Sequence, residues 1–546
     1  MIALVTFALP IGCFGQCIPG TGQFDIISNN YRARVLSEND LFWDFTAGIA
    51  RFEIPVNSNS YPIFAAATWM GGYVNGSLHI GAMTYRQNGV DFWSGPIDTV
   101  SLGTDISDCN HYDTFFPITK TEINNQKNHV YNSANMPTDI TNWPGNRIAG
   151  DNTSYKLAPY QDVNHNNTYD PLNGDYPIMY GDYSVYQITN DVGNHHGETG
   201  CHYQMGLETH ITNYAINCTT DSALRNTLFL HYDIINRGID TLTNFLFSVW
   251  SAFGYGVASH SNSNSKQNYI GCDTSLNMYY IYKGTGYDVD IGGPTGYHQY
   301  LPAFAGVFLN QKLSRFTSYN NTASNINGNP IGTANGIPYH NLMNGFWENG
   351  TPMTYGDSGT TVGGTPTNYL YSGDPVANTG WTEANAGNKP GNRNGLGSCG
   401  PFTFYPKDTL KIDFAYVFAR DYQHPGDSLA CIPILRQYVQ NIQSYYNTNT
   451  TPCGSIFYSD IKQIKNNNER ITIYPNPTKD VLSVECLMVN EKSTLVMTDM
   501  LGNNVKQMPF TTQHLTFNIS DLSEGIYNIS MISNEGVINK RLVIVR

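Results

Sequence analysis

Short apolar or alternating runs, broken by turns rich in glycine and asparagine, set the pattern of this chain. Val35 to Ile54 and Ile63 to Trp93 carry such runs, among them FEIPVN (52–57) and YPIFAAATWMGGYVNGSLHIGAMTY (61–85), with turns expected at Gly71-Gly72 and Asn75-Gly76. Asn-Gly between alternating runs is hairpin chemistry, because the central residues of the tight turn need positive φ. A second strand-rich zone spans Tyr183 to Ile281, and strands resume at Pro401 to Tyr405 and Leu410 to Ala419. Between them, 318–398 is rich in Gly, Asn, Thr and Pro and poor in apolar runs, which predicts long loops. One helix is predicted over 428–446, where Leu429, Ile432, Leu435, Val439 and Ile442 recur at three- and four-residue spacing. Asp427 or Ser428 offers its N-cap, with Pro433 as an alternative first helical residue.

Toward the C-terminus a polar stretch, SDIKQIKNNNER, precedes six short β-rich runs: Ile471 to Tyr474, Val481 to Cys486, Ser493 to Thr498, Leu515 to Ile519, Gly525 to Ile532 and Val537 to Val545. The whole pattern predicts a mainly β protein. Its body, divided into 16–180 and 181–455, holds one or two large β-sandwich-like domains with long loops and one short helix. A linker over 456–469 leads to a small Ig-like β-sandwich over 470–546.

Composition sharpens this picture. Of 546 residues only 13% are charged, against about 25% in an average soluble protein. Polarity comes instead from Asn, Gly, Ser, Thr and 38 Tyr, which suits strands and turns. The net charge of −14 and the absence of Lys/Arg runs argue against a nucleic-acid partner, which needs clustered cations. MIALVTFALPIGCFG reads as a cleaved export signal over 1–15, with acylation of Cys13 as the alternative. After residue 16 no apolar run approaches the ~18 residues of a transmembrane helix. Ten cysteines include Cys13, so nine remain; export permits disulfides, and Cys431 with Cys453, which flank the helix, is the favoured pair.

Candidate chemistry is concentrated in one loop. Asp162, Asn164, Asn166, Thr168 and Asp170 stand at positions 1, 3, 5, 7 and 9 of an EF-hand-like calcium pattern. Position 6 is Asn167 instead of Gly and position 12 is Asn173 instead of Glu, with Asp175 as a substitute carboxylate. The alternative is an Asx-rich turn that satisfies its own backbone. His195, His196, His202 and His210 lie near Cys201 and Glu198, a set open to zinc or to plain packing. Gly356-Asp357-Ser358-Gly359 matches a protease nucleophile motif over four residues, inside a turn-rich loop. Trp69 and Trp250 sit in strands and are expected in the core; Trp347 and Trp381 lie in the long loops and are candidates for exposed ligand platforms.

Three ordered motifs, IYPNPTKDVLSV, VMTDMLGNNVKQ and FNISDLSEGIYNISMISNEGVINKRLVIVR, resemble the type A sorting domain of the type IX secretion system of Bacteroidetes. The resemblance implies that Tyr474, Pro475, Asn476, Pro477, Gly502, Gly525 and Tyr527 form the sorting motif. It also implies an outer-membrane translocon and a sortase as partners, and a secreted or outer-membrane surface location. The body resembles an uncharacterised group of large secreted surface proteins from the same bacteria. Thr99, Ser222, Thr241, Thr409 and Ser428 each follow an Asp in tripeptides that look like the O-glycosylation acceptor of these organisms. The resulting expectation is a non-enzymatic surface protein serving adhesion, glycan binding or surface structure, with a glycan or surface partner and calcium as cofactor. The alternative is a secreted hydrolase acting on polysaccharide or protein, signalled by two carboxylates facing each other across a cleft lined by Trp or Tyr.

Overall fold

The computed structural model describes residues 17–86, 88–146, 157–254, 267–290, 293–319, 330, 334–458, 471–486, 494–499, 504–510, 514–533 and 536–545. The expected signal peptide, Gly502 and all but the first three residues of the expected linker lie outside them. The chain divides into two compact units, Met1–Ser459 and Asp460–Arg546.

In the first unit the described residues form two nine-stranded sheets. The first sheet runs Gln23–Ser28, Tyr31–Leu36, Asp40–Leu41, Ile63–Val74, Leu242–Phe253, Arg393–Phe404, Arg315–Tyr319, with two further strands branching from this path. The second runs Phe116–Thr119, Tyr183–Asn190, Leu207–Ala215, Thr227–Asn236, Thr409–Arg420, Pro302–Phe308, Met278–Lys283, Asn268–Asp273. Each sheet takes strands from both sides of residue 180, so the boundary expected there falls inside one continuous body.

The second sheet is buried on both faces, and its sequence shows it. Along Thr409–Arg420, Ile412, Phe414, Tyr416 and Phe418 face the core shared with the first sheet, while Ala415, Val417 and Ala419 face the opposite way. There they meet Cys431, Ile432, Leu435, Val439 and Ile442 of the helix Cys431–Thr448. Alternation with period two thus becomes a continuous apolar run, and small Ala303, Ala305, Ala415 and Ala419 give the helix room to lie on the strands. The helix starts later than expected. Asp427 caps no helix: its carboxylate accepts the Leu429 N–H in a turn, and Pro433 falls in the first helical turn, where its missing N–H is not needed. Five shorter α-helices, each of eight residues or fewer, accompany it among the described residues.

The hairpin at Asn75-Gly76 forms as predicted, with φ of 49° and 85° joining Ile63–Val74 to Ser77–Ala82. Gly71-Gly72 is no turn; both residues continue the strand. A Cβ on Gly71 would come within 2.9 Å of the Ile80 side chain and one on Gly72 within 3.1 Å of the Phe245 backbone, so the glycines answer close approach. Among the described residues the disulfides are Cys17–Cys109 and Cys218–Cys453, with Cys431 a free, buried thiol. The expected Cys431–Cys453 pair fails because Cys431 points beneath the helix, into the core.

Hydroxyl groups cross the seam between the sheets. Ser251 of the first sheet sits 3.0 Å from the Tyr279 hydroxyl and 2.9 Å from that of Tyr416, both from the second, and Tyr279 also donates to the Val249 carbonyl. Tyr416 stacks on Phe304 and meets Phe42 edge-on at 5.0 Å. At the outer side of the second sheet His231 Nδ1 lies 2.8 Å from Asp413, and Nε2 lies 2.9 Å from the Tyr180 hydroxyl and 3.3 Å from Asp233. Asp413 also accepts the Tyr446 hydroxyl from the helix.

Burial alone would lower the His231 pKa, but Asp233 and Asp413 outweigh it and lift the value to about 9. Two measurements test these contacts. Ser251→Ala removes one hydrogen-bond partner from each of the Tyr279 and Tyr416 hydroxyls and lowers the unfolding free energy by about 1–3 kcal/mol in urea. Because the folded pKa of His231 exceeds the unfolded value of about 6.5, its contribution is complete below that pH and is lost as pH rises through about 9. The urea midpoint therefore falls across this window, and His231→Gln flattens that fall.

Candidate functional site

The candidate calcium loop is tied at its base by a short ladder, Tyr160 with Pro177 and Gln161 with Tyr176. Gln126, on a neighbouring helix, donates to the carbonyls of Pro171 and Asp175 and holds the far side. Inside the loop the buried Asp162 carboxylate accepts the N–H groups of Asn166 and Asn167. His165 and Asn167 take φ of 59° and 61°, which lets the chain wrap. The amide groups of Asn164, Asn166 and Asn173 converge on the Asp170 carboxylate at 2.8–3.3 Å. These bonds, first that from Asn173, hold the Asp170 pKa below the usual carboxylate range. Asp175 is fully buried and accepts the N–H groups of Val163 and Asp170, and burial pushes its pKa up. Asp175 therefore braces the loop from beneath. Thr168 is exposed and gives its N–H to Asn166.

The histidine group does not converge on one centre. His196 is buried with Nδ1 2.7 Å from the Ile80 carbonyl and Nε2 2.8 Å from that of Asp191. Both ring nitrogens face carbonyl oxygens, an arrangement that favours the doubly protonated imidazole. Burial opposes this, and the Asp91 and Asp191 carboxylates overcome it and raise the pKa. His210 pairs with Glu208, which also binds Arg237, while Cys201 faces the carbonyls of Leu78 and Tyr203. His195 and His202 are exposed. Among the described residues no three or more His, Cys, Asp or Glu side chains are grouped to hold a metal.

Trp69 and Trp250 are fully buried, as expected. The other two tryptophans correct the sequence reading: Trp347 and Trp381 are 1% and 3% exposed and belong to the body's core. Their indole N–H groups donate to the carbonyls of Gly359 and Asp357. The Gly-Asp-Ser-Gly turn thus serves as acceptor for two buried indoles, and Ser358 bonds only its neighbour Thr360.

Burial gives two carboxyl groups a character that the sequence does not show, Glu38, which no motif marks, and Glu198 of the histidine set. Glu38 and Asp40 share Arg86, and burial pushes the Glu38 carboxyl up to about 8. Glu198 accepts hydroxyl hydrogen bonds from Thr84 and Tyr339, and burial pushes it up to about 7. Of the acceptor hydroxyls for glycans, those of Thr99, Ser222 and Thr409 stand on exposed residues, and those of Thr241 and Ser428 on half-buried ones.

The second unit packs a three-stranded sheet (Ile471–Tyr474, Val481–Cys486, His514–Asn518) and a four-stranded one (Asn504–Pro509, Thr494–Thr498, Gly525–Ser533, Gly536–Ile544) around Leu482, Val484, Leu495, Met497, Ile529 and Leu542. Asn476, between Pro475 and Pro477, donates to the Arg541 carbonyl and accepts the Val543 N–H, so the motif's turn is held by the last strand. Tyr474 is part-exposed and bonds Glu485; Tyr527 is buried and donates to the Ser523 carbonyl beyond Gly525.

No curated protein matches the chain. Among solved structures it is similar to a polysaccharide lyase at 8% identity, with a TM-score of 0.19, over 62% of this chain and 34% of the lyase. It is also similar to PorZ, a surface component of the type IX secretion system of Porphyromonas gingivalis, at 11% identity and a TM-score of 0.14, over 61% of this chain and 45% of PorZ. The chain therefore spans about a third of the lyase. Residues 472–545 match the family described as the secretion system C-terminal sorting domain. The C-terminal unit is a type IX sorting domain, and the chain that bears it is a secreted or cell-surface protein.

Proposed function

We propose that the body acts outside the cell without catalysis, in adhesion, glycan binding or surface structure. One observation supports this above others: its buried charges are spent as rivets between strands and loops. Arg86 joins Glu38 and Asp40, Lys283 meets Asp288 with both side chains fully buried, and Arg393 holds Glu383. Buried pairs of this kind fix one arrangement of loops on a scaffold and are costly to break. In the same reading the translocon takes the sorting domain as its signal, and a sortase removes it and attaches the body at the surface.

The loop around Asp170 is proposed as a calcium staple. Three amides and a carboxylate already meet at one point, and turning Asn164 and Asn166 to present their carbonyl oxygens would supply a hard cation with oxygen ligands. A second reading, a hydrolase, is supported by Glu198, whose pKa near neutrality suits a general acid.

Three experiments follow. Deleting 471–546 in a host with type IX secretion leaves the body in the periplasm, read by cell fractionation; export of the shortened chain contradicts the delivery role. Calcium added to the chelated protein releases heat and raises its melting temperature, and Asp170→Asn weakens that binding about ten-fold or more. Incubation with polysaccharide and casein panels yields no new ends, whereas cleavage that disappears in Glu198→Gln establishes the hydrolase.

A further inference from the structure

We propose that a surface groove at the edge of the first sheet binds a carboxylate-bearing oligosaccharide, such as a uronate polymer. The inference rests on the reading of the body as a glycan-binding protein and adds to it a site and a ligand class. The groove encloses about 450 Å³ where the chain passes from strand Pro302–Phe308 of the second sheet to Arg315–Tyr319 of the first. That volume lies within the usual range of about 300–1,000 Å³ for small-ligand sites.

Its walls are built from both sheets. The Tyr369 hydroxyl donates to the Leu313 carbonyl at 3.0 Å, and the Leu313 N–H donates to the side-chain carbonyl of Asn277 at 3.2 Å. Ser314 ties the crossing segment to Ser398 through its N–H and its hydroxyl. Gly400, at φ 106°, leaves space that a Cβ would take from the Phe402 ring and from the Phe245 carbonyl. The half-buried rings of Tyr369 and Phe402 therefore line a groove whose shape is set before any ligand arrives.

The lining chemistry is specific. Asn277 has its amide N–H₂ available, since only its carbonyl is engaged, and the exposed Asn368 adds a second amide. Such amides with aromatic faces match the hydroxyl groups and apolar ring faces of a sugar. Two cations set the sign. Arg315 is anchored through Nε to the Asn344 carbonyl and through Nη1 to the Ser314 carbonyl, which leaves Nη2 as a donor. Lys312 is exposed and has no ion-pair partner among the described residues. A fixed guanidinium and a free ammonium in one groove, on a chain of net charge −14, form a local positive site suited to a carboxylate.

Titration calorimetry on the full chain tests this, with oligogalacturonate as the charged probe and cellohexaose as the neutral one. Oligogalacturonate binds and weakens as salt rises from about 20 to about 200 mM, and cellohexaose binds at least about ten-fold more weakly. Lys312→Glu, on an exposed side chain, keeps the melting temperature and loses at least about ten-fold in affinity for oligogalacturonate. Equal binding of the two probes, or oligogalacturonate binding unchanged in Lys312→Glu, overturns the proposal. If oligogalacturonate gives no heat while a glycan array shows other sugars bound, this site assignment fails and the glycan-binding reading stands. If neither the titrations nor the array shows binding, both fail.

Discussion

The body depends on a buried seam between two nine-stranded sheets, closed by aromatic rings and by hydroxyl groups that meet one another across it. A seam made only of aliphatic side chains would tolerate sliding. Here Ser251 must meet Tyr279 and Tyr416 at hydrogen-bond distance, so register between the sheets is fixed by direction as well as by volume. The strands that supply these groups come from distant parts of the chain, so the seam joins both sides of residue 180 in one body.

Around that seam, ionic contacts do the work of attachment. Arg86 pulls the segment carrying Glu38 and Asp40 against the core, and His231 links a central strand to the helix through Asp413 and Tyr446. Few as the charges of the sequence are, several of them are buried and paired in this way. On the solvent face, the groove beside the exposed Lys312 is one place where the surface becomes concave and positive.

The sequence made periodicity legible where a strand had two different faces or a helix had one. The helix was visible in its 3–4 spacing, yet its start was not, because Asp427 can close a turn as readily as cap a helix. The edge strand Asn504–Pro509 was missed: its side chains are exposed or half-buried, so it carries no apolar alternation. The long region 318–398 looked like solvent-exposed loop because it lacks runs, but isolated large residues such as Trp347, Trp381 and Tyr339 bury themselves singly. Sparse aromatics separated by turns carry no period for a sequence reading to find. In the candidate loop the wrap at Asn167 is readable, whereas the inward turn of Asp175, whose carboxylate accepts the Val163 and Asp170 N–H groups, is not. The carboxyl at Glu38 has no motif, and Glu198 is legible only as a neighbour of the histidines, because the burial that chiefly shifts both has no local sequence signature.

One asymmetry separates the two outer faces. The second sheet is roofed by a single 18-residue helix resting on alanines, a fit with no slack, so any larger residue there would lift the roof. Along the Gly-Asp-Ser-Gly region, cover comes instead from loops pinned by individual tryptophans through the main-chain carbonyls of Asp357 and of Gly359, the latter at a φ of 79° that favours glycine. Lineages of this protein can accordingly rewrite that loop stretch piece by piece, keeping the pins, while the helical side must stay as it is. Diversification of the displayed surface is expected on the pinned side.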